Sequence, residues 1–242
     1  MARGKIRLSP KLGKGRQSAT MSQAETTRID AIFRRFRERD PAPVTELIYM
    51  TPFSLLVAVV LSAQATDVSV NKATPALFAR AADPAAMVAL GEARVRDAIK
   101  TIGLYNMKAK NVVALSERLL LDHAGEVPRD RAALEALPGV GTKTAAVVMN
   151  ALWGEPTIAV DTHVFRVSNR LPLAVGKTAD AVEAGLMQVV PDAFKSYAHH
   201  WLILHGRYTC TARRPACPTC LVRDLCLWPD KTVAAPQRGV EA

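Results

Sequence analysis

The residues of this chain whose types and spacing can do chemistry are four cysteines, a lysine and an aspartate. Cys210, Cys217, Cys220 and Cys226 follow the pattern C-x6-C-x2-C-x5-C and are the only cysteines among 242 residues. Stapling disulfides are distributed along a fold, whereas four thiols crowded near one end suit a metal centre. Tetrahedral zinc commonly takes two C-x2-C pairs on separate turns. Here a single pair has wider arms on both sides, a spacing suited to a bulkier [4Fe–4S] cluster, and spacing alone leaves both metals open.

The lysine is Lys143, in Leu-Pro-Gly-Val-Gly-Thr-Lys-Thr. Gly139, Val140 and Gly141 form a turn between two helical stretches, and its glycines permit positive φ and close approach of a partner to bare backbone. A helix starting at Thr142 points its free N–H groups and positive dipole end out of that turn, where they suit a phosphate oxygen. This is a helix-hairpin-helix. The turn by itself reads equally as a tight connector or as a phosphate clamp that positions a duplex without reading its sequence. Lys143 falls in the first helical turn, where a cation is disfavoured; the same repulsion favours a neutral, nucleophilic amine. The plainer role is an exposed phosphate-binding lysine.

Asp161 stands 18 residues beyond Lys143, in Ile-Ala-Val-Asp-Thr-His. An apolar run delivers this carboxylate to a helix start, so it is an N-cap candidate. An oriented carboxylate near an amine, at a turn that grips DNA, can do base-excision chemistry. The amine attacks the sugar C1′, and the carboxylate stabilises ring charge or accepts a proton.

These groups need elements to hold them. The net charge of +10 favours a polyanionic partner, yet six of those charges lie in the acid-free stretch 1–22, leaving +4 for the remainder. That arm reads as a basic disordered extension. No run reaches the roughly 20 apolar residues of a membrane span, and no signal-peptide apolar region follows Met1, so a cytoplasmic protein without membrane contact is expected, nucleoid-associated if it binds DNA.

From Ser22 the pattern turns helical, with Ile29, Ile32, Phe33 and Phe36 on one face. Thr51-Pro52 opens an almost wholly apolar helix, Phe53 to Ser62, that reads as the centre of a helical domain. Asp67 is the expected N-cap of the next helix, towards Phe78. Shorter helices are expected over 84–90 and 92–101, a longer one to about Asp122, another from Arg129 to Ala136, and then from Thr142. After Asp161 come helices to about Arg170, near 178–189 and over 192–204. No alternating stretch is long enough for a confident strand, so the fold class is all-α.

Taken together, Leu-Pro-Gly-Val-Gly-x-Lys-Thr, Val-Asp-Thr-His and C-x6-C-x2-C-x5-C, in this order, resemble the endonuclease III family of DNA glycosylases with lyase activity. Leu-Ser-Ala-Gln-Ala-Thr-Asp (61–67), Thr-Ile-Gly-Leu-Tyr-Asn (101–106) and the segment from His199 to Cys210 extend the resemblance to residues 23–228.

The resemblance implies a six-helix barrel domain over 45–155. A cluster domain is built from 23–44 with 156–230, and 231–242 forms a tail. It implies a [4Fe–4S] cluster on the four cysteines, Lys143 as the Schiff-base lysine and Asp161 as the catalytic aspartate. Gln64 would fill the gap left by an extruded base and Leu104 would wedge into the opposite strand. Without the resemblance these two read as a loop amide and a core residue.

The implied partner is double-stranded DNA with damaged pyrimidines or abasic sites, bound by a monomer. Gly139, Val140, Gly141, Thr142, Arg213 and Arg214 would contact the DNA backbone. Many relatives carry a basic residue at the position of Thr142 and an asparagine at that of Ala146, a departure expected to touch phosphate contact rather than chemistry.

Two rivals share features of this reading. An adenine-specific mismatch glycosylase generally lacks the lysine and carries a further C-terminal domain, which is not expected here, where 16 residues follow Cys226. A non-catalytic, structure-specific DNA-binding protein would use the hairpin but not the Lys143 and Asp161 pair.

Overall fold

A computed structural model describes residues 21–233; the basic arm up to Thr20 and the tail from Ala234 lie outside the described residues. All regular structure among the described residues is helical. The helices are α1 (Gln23–Arg39), α2 (Pro52–Ser62), α3 (Asp67–Phe78), α4 (Pro84–Leu90), α5 (Glu92–Ile99), α6 (Tyr105–His123), α7 (Arg131–Glu135), α8 (Thr142–Trp153), α9 (Thr162–Arg170), α10 (Ala179–Val189) and α11 (Asp192–Tyr208).

They enclose two hydrophobic cores. The first is centred on α2, in which every residue from Phe53 to Leu61 is buried. A helix without a polar face is stable only when neighbours surround it, and α3, α6 and α8 do so. Its start is fixed locally: Pro52 occupies the first turn, and Thr51 and Ser54 cap each other's main-chain N–H groups. The second core joins α1 to α9, α10 and α11 through Ile29, Ile32, Phe33 and Phe36, with Phe33 stacked on Phe194 at 5.9 Å.

Helix α1 is also clamped to the cysteine-bearing segment, 197 residues away at its farthest hydrogen bond. Arg28 donates to the carbonyls of Leu171, Pro172 and Leu225, and Arg35 forms a forked pair with Asp224. Arginine suits this task because its planar fork satisfies several oxygens at once.

One expected cap is corrected. The N-cap of α3 is Thr66, whose side chain accepts from Ser69 N, and Asp67 is already helical. A cap oxygen must reach an N–H two or three residues on, and Thr66 holds that place. The Asp67 carboxylate turns instead to Arg207, 2.8 Å away. The last α-helix runs to Tyr208 rather than to 204, a short 3-10 turn follows at Cys217–Thr219, and α7 is shorter than its apolar pattern suggested.

Candidate active site

The turn between α7 and α8 needs left-handed backbone at one of its two glycines. Gly139 has φ +79°, and a Cβ there would stand 2.9 Å from the Asn111 side chain of α6. Gly141 has φ −96° and caps α8 with no side chain. The first N–H groups of α8 therefore have no side-chain acceptor and point out of an exposed turn formed by Gly139, Gly141 and Thr142. Val140 differs from these: its side chain is core and its N–H is bonded to Leu137 O.

Lys143 lies in this first turn and is half exposed. Its Nζ is 4.0 Å from Asp161 Oδ2. Asp161 is the N-cap of α9, its Oδ1 accepting from His163 N and Val164 N at 2.8 Å each. The segment before it, 155–161, is pinned from both sides. Thr157 Oγ1 donates to Ala146 O of α8, Asn150 Nδ2 donates to Glu155 O and to Ser196 O, and His199 Nδ1 donates to Ala159 O at 2.7 Å. His199 is buried, and desolvation holds it down to about pKa 4, so it is neutral at physiological pH.

Lys143 and Asp161 open onto a cavity of about 860 Å3 between the two cores, which is also lined by Gln64, Asp67, His163, His200 and Arg207. Volumes of this order accept a nucleotide-sized ligand. Arg207 bridges Glu46 and Asp67 across the cavity rim, and Tyr208 adds a hydrogen bond to Glu46. Burial opposes the charge of Arg207, but Asp67 and Glu46 together outweigh it and raise its pKa.

Gln64 and Leu104 are two of three non-glycine residues with positive φ among the described residues, at +54° and +59°. The third, Ala124, merely closes α6. Left-handed backbone costs an L-residue roughly 1–2 kcal/mol and persists where the surroundings impose it. Gln64 is exposed and Leu104 is 49% exposed, so Leu104 is a projecting apolar side chain rather than part of the core. Their loops touch, since a Cβ on Gly103 would stand 3.8 Å from Gln64 O.

The cysteines form a second centre. All four are free thiols, three of them buried, around a small cavity also lined by Arg170, His205 and Trp228. Among the described residues no three His, Cys, Asp or Glu side chains converge on one point suited to a single metal ion. All four thiols line this cavity, and a set of four thiolates is the donor set of an iron–sulfur cluster as well as of a structural zinc. Burial pushes the Cys220 thiol up, a cost that a bound cation would offset.

Helix α9 joins this centre to Asp161. Arg166 donates to Cys210 O and Gly206 O and contacts His163 Nδ1, while Arg170 donates to Thr211 O and Ala212 O and lies over the Trp228 ring. Arg213 and Arg214 are exposed in the loop so held.

Sequence reasoning did not single out Arg166, Arg170 or Arg207. A signal was present for Arg207, because 199, 200, 203, 204 and 207 recur at helical spacing along one face of α11. No helix of the described residues is long and apolar enough to cross a membrane.

A hairpin-bearing all-α fold with a lysine–aspartate pair at an inter-core cavity is the design of a base-excision DNA repair protein. Residues 57–192 match the HhH-GPD superfamily of base excision DNA repair proteins, and residues 210–226 match the iron-sulfur binding domain of endonuclease III. Endonuclease III of Escherichia coli (strain K12) is 60% identical over 200 residues, which cover 83% of this chain and 95% of that protein. The Haemophilus influenzae enzyme is 56% identical over 207 residues, covering 86% and 98%. A structure of a trapped endonuclease III–DNA covalent intermediate superimposes with a TM-score of 0.78 at 43% identity, covering 84% of this chain and 95% of that one.

The chain belongs to the endonuclease III family, the DNA glycosylase/AP lyases of base excision repair. It carries the family's [4Fe–4S] cluster.

Proposed function

We propose that this enzyme removes oxidised pyrimidines from double-stranded DNA and cleaves the resulting abasic site, with Lys143 as nucleophile and Asp161 as its electrostatic partner. The observation that carries this reading is the approach of Lys143 Nζ to Asp161 Oδ2 at 4.0 Å on the wall of a nucleotide-sized cavity.

A base stacked in a duplex hides its C1′, so the nucleotide must first be extruded at a cost of a few kcal/mol, which a poorly stacked damaged base lowers. Leu104 and Gln64 would fill the vacated space, as apolar wedges do in proteins that kink DNA. The hairpin N–H groups with Thr142, and Arg213 and Arg214, would hold phosphates.

The Lys143 amine, once it has given up a proton, then forms a bond to C1′ as the C1′–N bond breaks, and the electron pair leaves with the base, which gains a proton. Asp161 stabilises positive charge on the sugar ring and can take the proton lost by the attacking amine. Ring opening gives an iminium at C1′, which acidifies the 2′ hydrogen. Loss of that proton expels the 3′ phosphate by β-elimination, and water releases the enzyme.

Cys210, Cys217, Cys220 and Cys226 would be the cluster ligands. Held by these four thiolates, a cluster would tie down the loop bearing Arg213 and Arg214.

The test is to incubate the holoenzyme with a duplex containing thymine glycol and add borohydride. A covalent adduct that disappears in Lys143→Ala supports the assignment; no adduct with the unaltered protein, or one undiminished in the variant, defeats it.

A further inference from the structure

Three histidines line the cavity that receives the extruded nucleotide: His163, His199 and His200. Two are committed to the protein. His199 donates from Nδ1 to Ala159 O, which leaves a bare lone pair at Nε2, and His163 is held at Nδ1 by Arg166. Arg207 is likewise engaged by Glu46 and Asp67. Among the described residues the His200 ring has no hydrogen-bond partner, and its Nδ1 is a buried nitrogen left unsatisfied.

A buried N–H without an acceptor is rarer and costlier than a buried lone pair without a donor. The proton of neutral His200 therefore belongs on Nε2, since Nδ1 is the buried, unsatisfied nitrogen and the ring lines the cavity. Burial lowers the pKa of this ring, with Asp40 the one charge acting in the opposite sense. His200 is thus a neutral N–H donor with an unused hydrogen bond, two turns along α11 from Arg207.

We propose that His200 is a specificity-determining residue whose Nε2–H donates to a carbonyl or added hydroxyl oxygen of the extruded pyrimidine. Resting on the glycosylase reading above, this assigns the contact to the base and not to the sugar or phosphate. Oxidised pyrimidines offer such oxygens at the ring carbonyls and at the oxidised carbons. A neutral donor meets them without adding a positive charge beside the cation that develops at C1′. A site built to donate a hydrogen bond rejects a ligand that lacks the acceptor, because the donor is then left unpaired.

The consequence that separates this role from a structural one is that an abasic site has no base to read. The experiment compares His200→Leu, which keeps bulk but removes the donor, with His200→Gln, whose amide N–H can replace Nε2–H. Each holoenzyme is assayed under single-turnover conditions on a thymine glycol duplex and on a duplex with a preformed abasic site.

The expected result is a loss of about tenfold in excision for His200→Leu, the order of one buried hydrogen bond. Substantial recovery is expected in His200→Gln, with strand cleavage and borohydride trapping at the abasic site unchanged in both. Equal losses on the two substrates, or no loss of excision in His200→Leu, would overturn the proposal. If the unaltered enzyme formed no borohydride adduct on either duplex, the underlying glycosylase/lyase reading would fail instead, a result distinct from both.

Discussion

Lys143 and Asp161 meet through one oxygen of the carboxylate while the other oxygen builds the helix. Oδ1 caps α9 by accepting from His163 N and Val164 N, and Oδ2 faces the Lys143 amine at 4.0 Å. The capping bonds fix the direction of the free oxygen, so one residue supplies both a structural and a chemical function.

These functions can be separated by substitution. Asp161→Asn keeps an oxygen acceptor for the cap and loses the charge, whereas Asp161→Ala loses both. Excision should fall by at least about a hundredfold in each, the scale for removing a positioned electrostatic or acid–base group. Only Asp161→Ala should also lose about 1 kcal/mol of stability from the missing cap. Thermal denaturation beside single-turnover assays decides this, and equal stability losses in the two variants would contradict it.

Leu104 is held in left-handed backbone while its side chain projects, so stability and function pull in opposite directions there. Leu104→Gly removes the conformational cost of roughly 1 kcal/mol and the wedge together. The melting temperature should hold or rise while affinity for a duplex containing a reduced abasic site falls. Wild-type affinity in Leu104→Gly would mean that the side chain is not the wedge.

Acid should destabilise the fold through the buried histidines. The pKa of His199 lies at about 4 in the native state against 6.5 when unfolded. Between those values the unfolded chain binds the extra proton, so its contribution to stability is complete above pH 6.5 and is lost as pH falls towards 4, at up to about 1.4 kcal/mol per pH unit. His199→Asn retains a donor for Ala159 O but does not titrate. Its melting temperature should vary less steeply across this window, with His200 and His205, also lowered by burial, accounting for the remaining slope. Superimposable profiles would exclude His199 as a source.

Removing the cluster should act on DNA affinity before chemistry. The loop bearing Arg213 and Arg214 is shaped by the cysteines and by Arg170, which holds Thr211 O and Ala212 O. Iron chelation should abolish absorption near about 400 nm, in the range of protein-bound iron–sulfur clusters, and weaken duplex binding. Arg213→Ala with Arg214→Ala, cluster intact, should make the dependence of log Kd on log salt shallower by about one for each phosphate no longer neutralised. An unchanged salt slope would remove these arginines from the interface.

What the sequence determined by itself was local. Helix periodicity, Pro52 and Asp161 at helix starts, the glycine turn before Thr142 and the cysteine spacing all act within a turn or two, and the helices and hairpin appear where those signals lie. Where a local signal was shared between neighbours, as for Thr66 and Asp67, sequence alone favoured the wrong one.

Only the tertiary structure decided which distant groups meet. It brought Lys143 to Asp161, the Gln64 loop to the Leu104 loop, and Arg207 to Asp67 and Glu46. It also committed His163 and His199 to the protein while leaving His200 free beside the cavity. Those meetings follow from burying non-local apolar faces in two cores, and that burial sets where polar groups converge without any trace in nearest-neighbour spacing.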